Sequence, residues 1–181
     1  MSRFRYATLD MTGNKGQAGT LIDMAEHFRD RGETIYTFMG EILVICPRCA
    51  GCALTRPETP ADSGCFTPRR LTCAHCGYSA TWAERTITRG WREAKDDYFQ
   101  LPLWLQTPCC GHILWAYNAA HLQFIEDFVQ AKLRSRSPDP ETGWSNRSLA
   151  SRLPHWVGAA KNRSDVLKGV ARLRDRIADC L

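Results

Sequence analysis

The sequence predicts an α+β protein, on three observations. β-Branched and aromatic runs lead into two Cys-x2-Cys pairs, at Cys46 and Cys73. A second strand–turn–strand pattern surrounds Cys109-Cys110-Gly111-His112, and apolar residues recur at helical spacing both before and after these strands. The expected arrangement is a small cysteine-rich β core (42–134, with a second hairpin and a helix) behind an N-terminal strand–helix unit (1–41). A linker (135–147) and a basic helical region (148–181) follow.

Residues 3–9 alternate as a half-buried strand does. The loop "TGNKGQAGT" is rich in glycine, but Gly19 is followed by Thr20 and Leu21, not by the lysine that a phosphate-binding loop needs. Thr20 is instead the expected N-cap of a helix over 21–30, with Leu21, Met24, Ala25 and Phe28 on one face and Gly32 past its end. "TIYTFMGEILVIC", 34–46, reads as one or two strands. The turn-forming stretch "TRPETPADSG" separates it from a strand over 65–72.

Residues 98–117 read as the second hairpin, with Trp104 and Trp115 buried in it. Asn118 is the expected cap of a helix carrying Leu122, Ile125, Val129 and Leu133 on one face. "RSRSPDPETGWSN" is polar and broken by two prolines. A short helix is expected near Ser148–Leu153, interrupted by Pro154, and the last helix is expected from a Ser164 cap, with Val166, Val170, Leu173 and Ile177 in one stripe. That stripe fits packing on its own domain.

Of 181 residues, 44% are hydrophobic and 24% charged, as in a folded domain. The longest apolar run, Ile42–Cys46, is far short of the ~20 residues that span a bilayer. "MSRFRYATLD" lacks the apolar stretch of a signal peptide, so a cytoplasmic protein is expected, with reduced thiols. The net charge is +5, unevenly spread: from Lys132 onward eleven bases face five acids, and the rest of the chain carries thirteen bases and fourteen acids. Such asymmetry points toward a polyanionic partner or toward a solvated helical surface.

Nine cysteines at short spacing suggest metal ligands. Cys46-Pro-Arg-Cys49 and Cys73-Ala-His-Cys76 lie 23 residues apart, and each can supply two corners of a tetrahedron. Gly77 suits the turn after the second pair; Ala50 stands at the matching place in the first. Four thiolates suit Zn2+ and leave no open position for water, so the ion is expected to be structural, with Arg48, Arg69 and Arg70 placed to offset the negative charge.

"CPRC" after one apolar strand and "LTCAHCGYS" after another resemble the zinc ribbons of the transcription-factor-IIB type, over about residues 42–82. The resemblance implies a three-stranded β fold around one zinc, with roles from nucleic-acid contact to protein docking. The latter half, including "LPLWLQTPCCGHILWAYN", is similar to uncharacterised bacterial zinc-ribbon proteins.

Cys52, Cys65, Cys109 and His112 are candidates for a second metal, with His75 and His121 as further conceivable ligands; the alternative is that the extra cysteines are small buried residues. Cys180 is expected to be unliganded. No His-x-Glu precedes a cysteine pair in the manner of a zinc deaminase, since Phe28 and Arg29 follow His27. A nucleophile built from Cys110 with His112 or His121 and Asp127 has no supporting spacing, and Asp96 and Asp97 read as solvated.

A non-enzymatic nucleic-acid-binding factor is therefore expected. Arg163, Lys168, Arg172, Arg174 and Arg176 would meet phosphates, and Trp144 and Trp156 lie among them. The alternative is a protein-interaction adapter docking through the ribbon. No membrane association and no small-molecule substrate is expected.

Overall fold

The computed structural model describes residues 27–59, 64, 66–83, 93–136, 143 and 146–180. The expected strand at 3–9, the glycine-rich loop, the first part of the helix expected over 21–30, Cys65 and Trp144 lie outside the described residues. The fold is α+β. Its strands are β1 (His27–Asp30), β2 (Ile42–Ile45), β3 (Cys52–Pro57), β4 (Arg69–Thr72), β5 (Ser79–Trp82), β6 (Leu105–Cys109), β7 (His112–Ala116) and β8 (Leu133–Arg136). Its helices are α1 (Ala119–Gln130), α2 (Leu149–Arg152), α3 (His155–Gly158) and α4 (Arg163–Ala178).

Strands β2-β3-β4-β5 form an antiparallel sheet in chain order. Alternation along each strand places Ile42, Val44, Ala53, Thr55, Leu71 and Trp82 on one buried face. The sheet thus has four strands where the ribbon resemblance implied three. The added one is β3, whose second half, 55–57, falls in the stretch expected to be a turn. It pairs on both sides, Thr55 opposite Ile42 and opposite Leu71, and such tertiary pairing outweighs the turn composition of its C-terminal end.

A second core forms where β6, β7, α1 and α4 meet, around Leu105, Leu114, Leu122, Ile125, Val166, Val170 and Leu173. The outer edge of β2 joins the two cores. The Leu43 N–H bonds to the Tyr117 carbonyl at 2.8 Å, the Trp104 N–H to the Leu43 carbonyl at 2.9 Å and the Ile45 N–H to the Pro102 carbonyl at 2.8 Å. Asn118 caps α1 by accepting the His121 N–H at 2.9 Å, and its Nδ2 donates to the carbonyls of Phe38 and Glu41, each at 2.7 Å. One side chain therefore starts a helix and anchors it to the segment before β2.

Several expectations are corrected. Residues 27–30 are a strand paired in parallel with β8, not a helix end; Phe28 sits edge-on between Phe124 and Phe128, each ring centroid 5.4 Å away. Ile35–Phe38 is a 3-10 turn rather than part of a strand, opened by Thr34, whose N–H bonds to the Thr37 hydroxyl. Helix α1 stops at Gln130, so Leu133 leaves its stripe, joins β8 and is 66% exposed. Arginines satisfy carbonyls at that end of the helix: Arg134 donates to Phe128 at 2.9 Å and Arg163 to Ala131 at 3.0 Å.

Helix α4 begins at Arg163, which puts Ser164 inside its first turn and not at the cap. Asp96 is fully buried rather than solvated. Its carboxylate accepts the N–H groups of Tyr98, Phe99 and Leu101 at 2.8–2.9 Å, while burial pushes its pKa up against those bonds.

The stripe of α4 packs on its own chain, through Val166, Gly169, Val170 and Leu173. A Cβ at Gly169 would stand 2.9 Å from Leu114 Cδ2, so the Leu114 side chain of the hairpin packs directly on the helix backbone there. Gly169→Leu should therefore cost about 1–3 kcal/mol of stability in chemical denaturation, through overpacking. On a free helical tail the same change would add about 1 kcal/mol by removing a helix glycine, so the sign of the change decides between the two arrangements.

Candidate metal centre

The four cysteines of the two Cys-x2-Cys pairs are positioned by matching turns at one end of the sheet. After β2, the Cys46 N–H bonds to the Gly51 carbonyl (2.8 Å) and the Ala50 N–H returns to the Cys46 carbonyl (2.9 Å). After β4, the Cys73 N–H bonds to the Tyr78 carbonyl (2.9 Å) and the Gly77 N–H to the Cys73 carbonyl (2.9 Å). The fifth residue of each turn has positive φ, 58° at Ala50 and 70° at Gly77. Glycine takes that conformation at no steric cost, and alanine pays for it in the first turn.

These turns carry the sulfurs of Cys46, Cys49, Cys73 and Cys76 to within 4.8 Å of one another. Cys46 Sγ lies 3.7 Å from Cys76 Sγ, and Cys49 Sγ 3.6 Å from Cys73 Sγ. Sulfurs at the corners of a tetrahedron with metal–sulfur bonds of ~2.3 Å stand about 3.8 Å apart, so the observed edges fit such an ion. They are far too long for disulfides, which need ~2.05 Å. Cys46 and Cys73 are buried, and Cys49 and Cys76 are half-buried.

Burial raises the Cys46 pKa, but the N–H groups of Arg48 and Cys49 together with the thiols of Cys73 and Cys76 outweigh it and bring the value down to about 7. At Cys49 the Gly51 N–H lowers the pKa, yet burial and the other three thiols drive it up to about 12. One thiol of the set ionises readily and the last resists, as expected where one small volume must hold several negative charges without a cation. The turns' own amides, Arg48 N–H among them, offset the charge. Arg69 does not, contrary to expectation: it is buried, donating to the carbonyls of Met39 and Gly40 and lying 4.3 Å over the Tyr98 ring. Arg70 pairs with Glu58 at 2.9 Å.

Among the described residues, those expected at a second metal form no group able to hold one. Cys52 is joined to Cys180 in a disulfide, which corrects both its candidacy as a ligand and the expectation of reduced thiols at these two positions. Two cysteines 128 residues apart offer no local signal of their pairing. Cys109 and Cys110 bring their sulfurs to 3.7 Å on the β6–β7 turn, with burial, then Cys110, raising Cys109 to about 11. His112 turns away to stack on Trp156, ring centroids 5.0 Å apart, and His121 is buried among aromatic rings. Among the described residues only the four cysteines above form a group able to hold a metal.

The residues expected to face phosphates all have partners within the chain. Arg163 donates to Ala131, and Lys168 pairs with Asp165 at 3.2 Å. Arg172 donates to Thr107 Oγ1 (3.4 Å) and the Pro108 carbonyl (3.2 Å). Arg174 pairs with Glu126 and bonds Gln123 Oε1 at 2.7 Å. Arg176 donates to the Gln106 carbonyl (3.2 Å) and lies 4.4 Å over the Trp104 ring. Of the residues weighed for catalysis, Asp127 accepts from Gln123 and His121 accepts the Tyr117 N–H. Among the described residues no helix is long and apolar enough to cross a membrane.

The chain matches no protein-family model, no curated protein and no solved structure.

The geometry makes the cysteines unequal. Cys73→Ser should abolish metal retention and leave a chain that melts without a cooperative transition, read by elemental analysis and circular dichroism. Cys52→Ser should keep one metal per chain and lose only the clasp to Cys180, costing about 2–4 kcal/mol under oxidising conditions.

Proposed function

We propose that the four-cysteine centre holds Zn2+ as a structural ion and that the protein is a non-enzymatic nucleic-acid-binding factor whose ribbon sheet is the contact face. Zinc is the choice because a compact set of four soft thiolates at tetrahedral spacing suits it. With every coordination position filled from the chain, the ion's contribution is to folding, of order 10 kcal/mol.

The observation that carries the nucleic-acid reading is a cross-strand pair, Arg56 directly opposite Arg70, on the face of the sheet turned away from the core. Like charges opposite one another weaken a sheet, and Glu58 relieves one of the two. Thr81, opposite Arg70, and Thr72, opposite Leu54 and Ser79, continue that polar face. Arg48 stands exposed in the first cysteine turn at the end of the same sheet. Guanidinium groups on a flat polar surface suit phosphate oxygens. The α4 arginines, which serve their own chain's carbonyls and carboxylates, take a secondary part. That engagement favours the alternative reading, a protein adapter, in which the same ribbon face meets a protein.

Binding of a fluorescein-labelled single-stranded oligonucleotide should weaken steeply with salt. Arg56→Ala/Arg70→Ala should lower the slope of log K against log salt by roughly 1–2, whereas Arg172→Ala/Arg174→Ala should change it less. Wild-type protein that binds neither DNA nor RNA at low salt, yet retains one stoichiometric protein in a pull-down, would establish the adapter reading instead.

A further inference from the structure

Four cysteines converge in the metal centre and two form the Cys52–Cys180 bond; Cys109 and Cys110 are the remaining pair among the described residues. They stand at the β6–β7 turn, where Cys109 ends the ladder opposite His112. The two connecting residues, Cys110 and Gly111, have φ of 51° and 76°. A two-residue connection with both φ positive matches the twist of its strands, so the ladder fixes the backbone beneath the two thiols. Their sulfurs lie 3.7 Å apart. Cys109 is buried against α4: a Cβ at Gly169 would stand 3.6 Å from its sulfur, and the Asp165 carbonyl oxygen is 3.5 Å away. Cys110 is half-buried, so one sulfur lies beneath the helix and the other is partly open to solvent.

Spacing and number decide what two such sulfurs can hold. A disulfide needs sulfurs at ~2.05 Å and Cα atoms about 4.4–6.8 Å apart. Adjacent residues across a trans peptide are held at about 3.8 Å, so closing this pair into a disulfide would distort the turn. A centre with bonds of ~2.3 Å to sulfur instead spans two sulfurs about 3.8 Å apart and leaves the backbone where it is.

Zinc at a closed site takes four ligands, and among the described residues no third cysteine, histidine or carboxylate joins this pair. Zinc would also need both thiols ionised, whereas burial, then the neighbouring Cys110 thiol, raises Cys109 to about 11. A trivalent arsenical with one organic group has neither requirement. It carries two exchangeable hydroxyls, condenses with neutral thiols, and bonds to sulfur at a length close to that of zinc.

We propose that Cys109 and Cys110 form a dithiol site that chelates a monosubstituted trivalent arsenical. Two S–H and two As–O bonds break, two As–S and two O–H bonds form, and two waters leave. Arsenic stays trivalent and neither sulfur is oxidised. The site is separate from the metal centre and does not depend on the nucleic-acid reading.

The test is native mass spectrometry of the full chain, purified with its native metal and with Cys52–Cys180 intact, using phenylarsine oxide as the probe. The expected result is one phenylarsenic group per chain with the metal retained, the adduct being removed by 1,2-ethanedithiol but not by the same concentration of the monothiol 2-mercaptoethanol. Trypsin cuts after Lys95 and Lys132, which places both cysteines in one fragment with no other cysteine. The probe should protect that fragment from N-ethylmaleimide, a readout that identifies the pair whether or not the four-cysteine centre holds an ion. Cys110→Ser, at a half-buried position, should weaken binding by roughly 10²–10⁴-fold, as when a two-point attachment becomes a one-point attachment. Proton spectra and metal content establish that the variant is folded. Absence of an adduct on the wild type, equal affinity in Cys110→Ser, or an adduct that forms only as the metal is lost would overturn the proposal.

Discussion

Charge confined to a small volume is the constraint on which the rest of the structure depends. Two turns, 27 residues apart along the chain, bring four ionisable sulfurs within 4.8 Å of one another. Without a cation the thiols compete: amide and thiol hydrogen bonds outweigh burial and bring Cys46 down to about 7, while burial and the other thiols drive Cys49 up to about 12. A divalent ion held at the centre would remove that conflict and convert four competing groups into one crosslink between the β2–β3 and β4–β5 connections. The strands are only four to six residues long, and such a tie would fasten the turns at one end of the sheet.

The four-stranded sheet is tied to the remainder of the chain by backbone pairing along β2, by Asn118, and by the apolar cluster that Ile42, Val44 and Leu71 share with Tyr98, Leu103, Tyr117 and Leu149. Leu43 exchanges hydrogen bonds with Tyr117 and Trp104, and Val44 bridges Leu103. The second core then assembles where α4 lies directly on the β6–β7 hairpin at Gly169. At the far end of α4, the disulfide to Cys52 returns the helix to the four-stranded sheet, and the Cys52 carbonyl is 3.5 Å from Cys73 Sγ. The C-terminal helix is thereby fastened beside the four-cysteine group. Its arginines are part of this fastening, which explains how so basic a helix can spend its charge on carbonyls of β6 and on carboxamide and carboxylate groups of α1.

Legibility in the sequence followed locality. The cysteine turns were readable because their chemistry and their positive-φ residues lie within six positions of one another, and the β6–β7 turn was readable for the same reason, with φ of 51° at Cys110 and 76° at Gly111. Helices α1 and α4 announced themselves by apolar spacing and, for α1, by the Asn118 cap. The parallel pair β1–β8 joins segments more than 100 residues apart, so no local pattern encodes it, and residues 27–30 looked helical on periodicity alone. Strand β3 was hidden by the turn composition around Pro57, because its register comes from the neighbours on both sides. Arg69 reads as a counter-charge to the cysteines and Asp96 as solvated; the carbonyls and amides that satisfy them in the interior come from segments the sequence does not mark. The four-cysteine candidate site was thus legible almost entirely, whereas the partners of the basic residues and the Cys52–Cys180 bond were not.

X-ray absorption at the zinc K-edge, on protein purified with its native metal, tests the central claim most directly. A closed centre predicts a single shell of four sulfurs at about 2.3 Å and no lighter scatterer. A nitrogen or oxygen in that shell, or protein that folds with no stoichiometric metal at all, would contradict it.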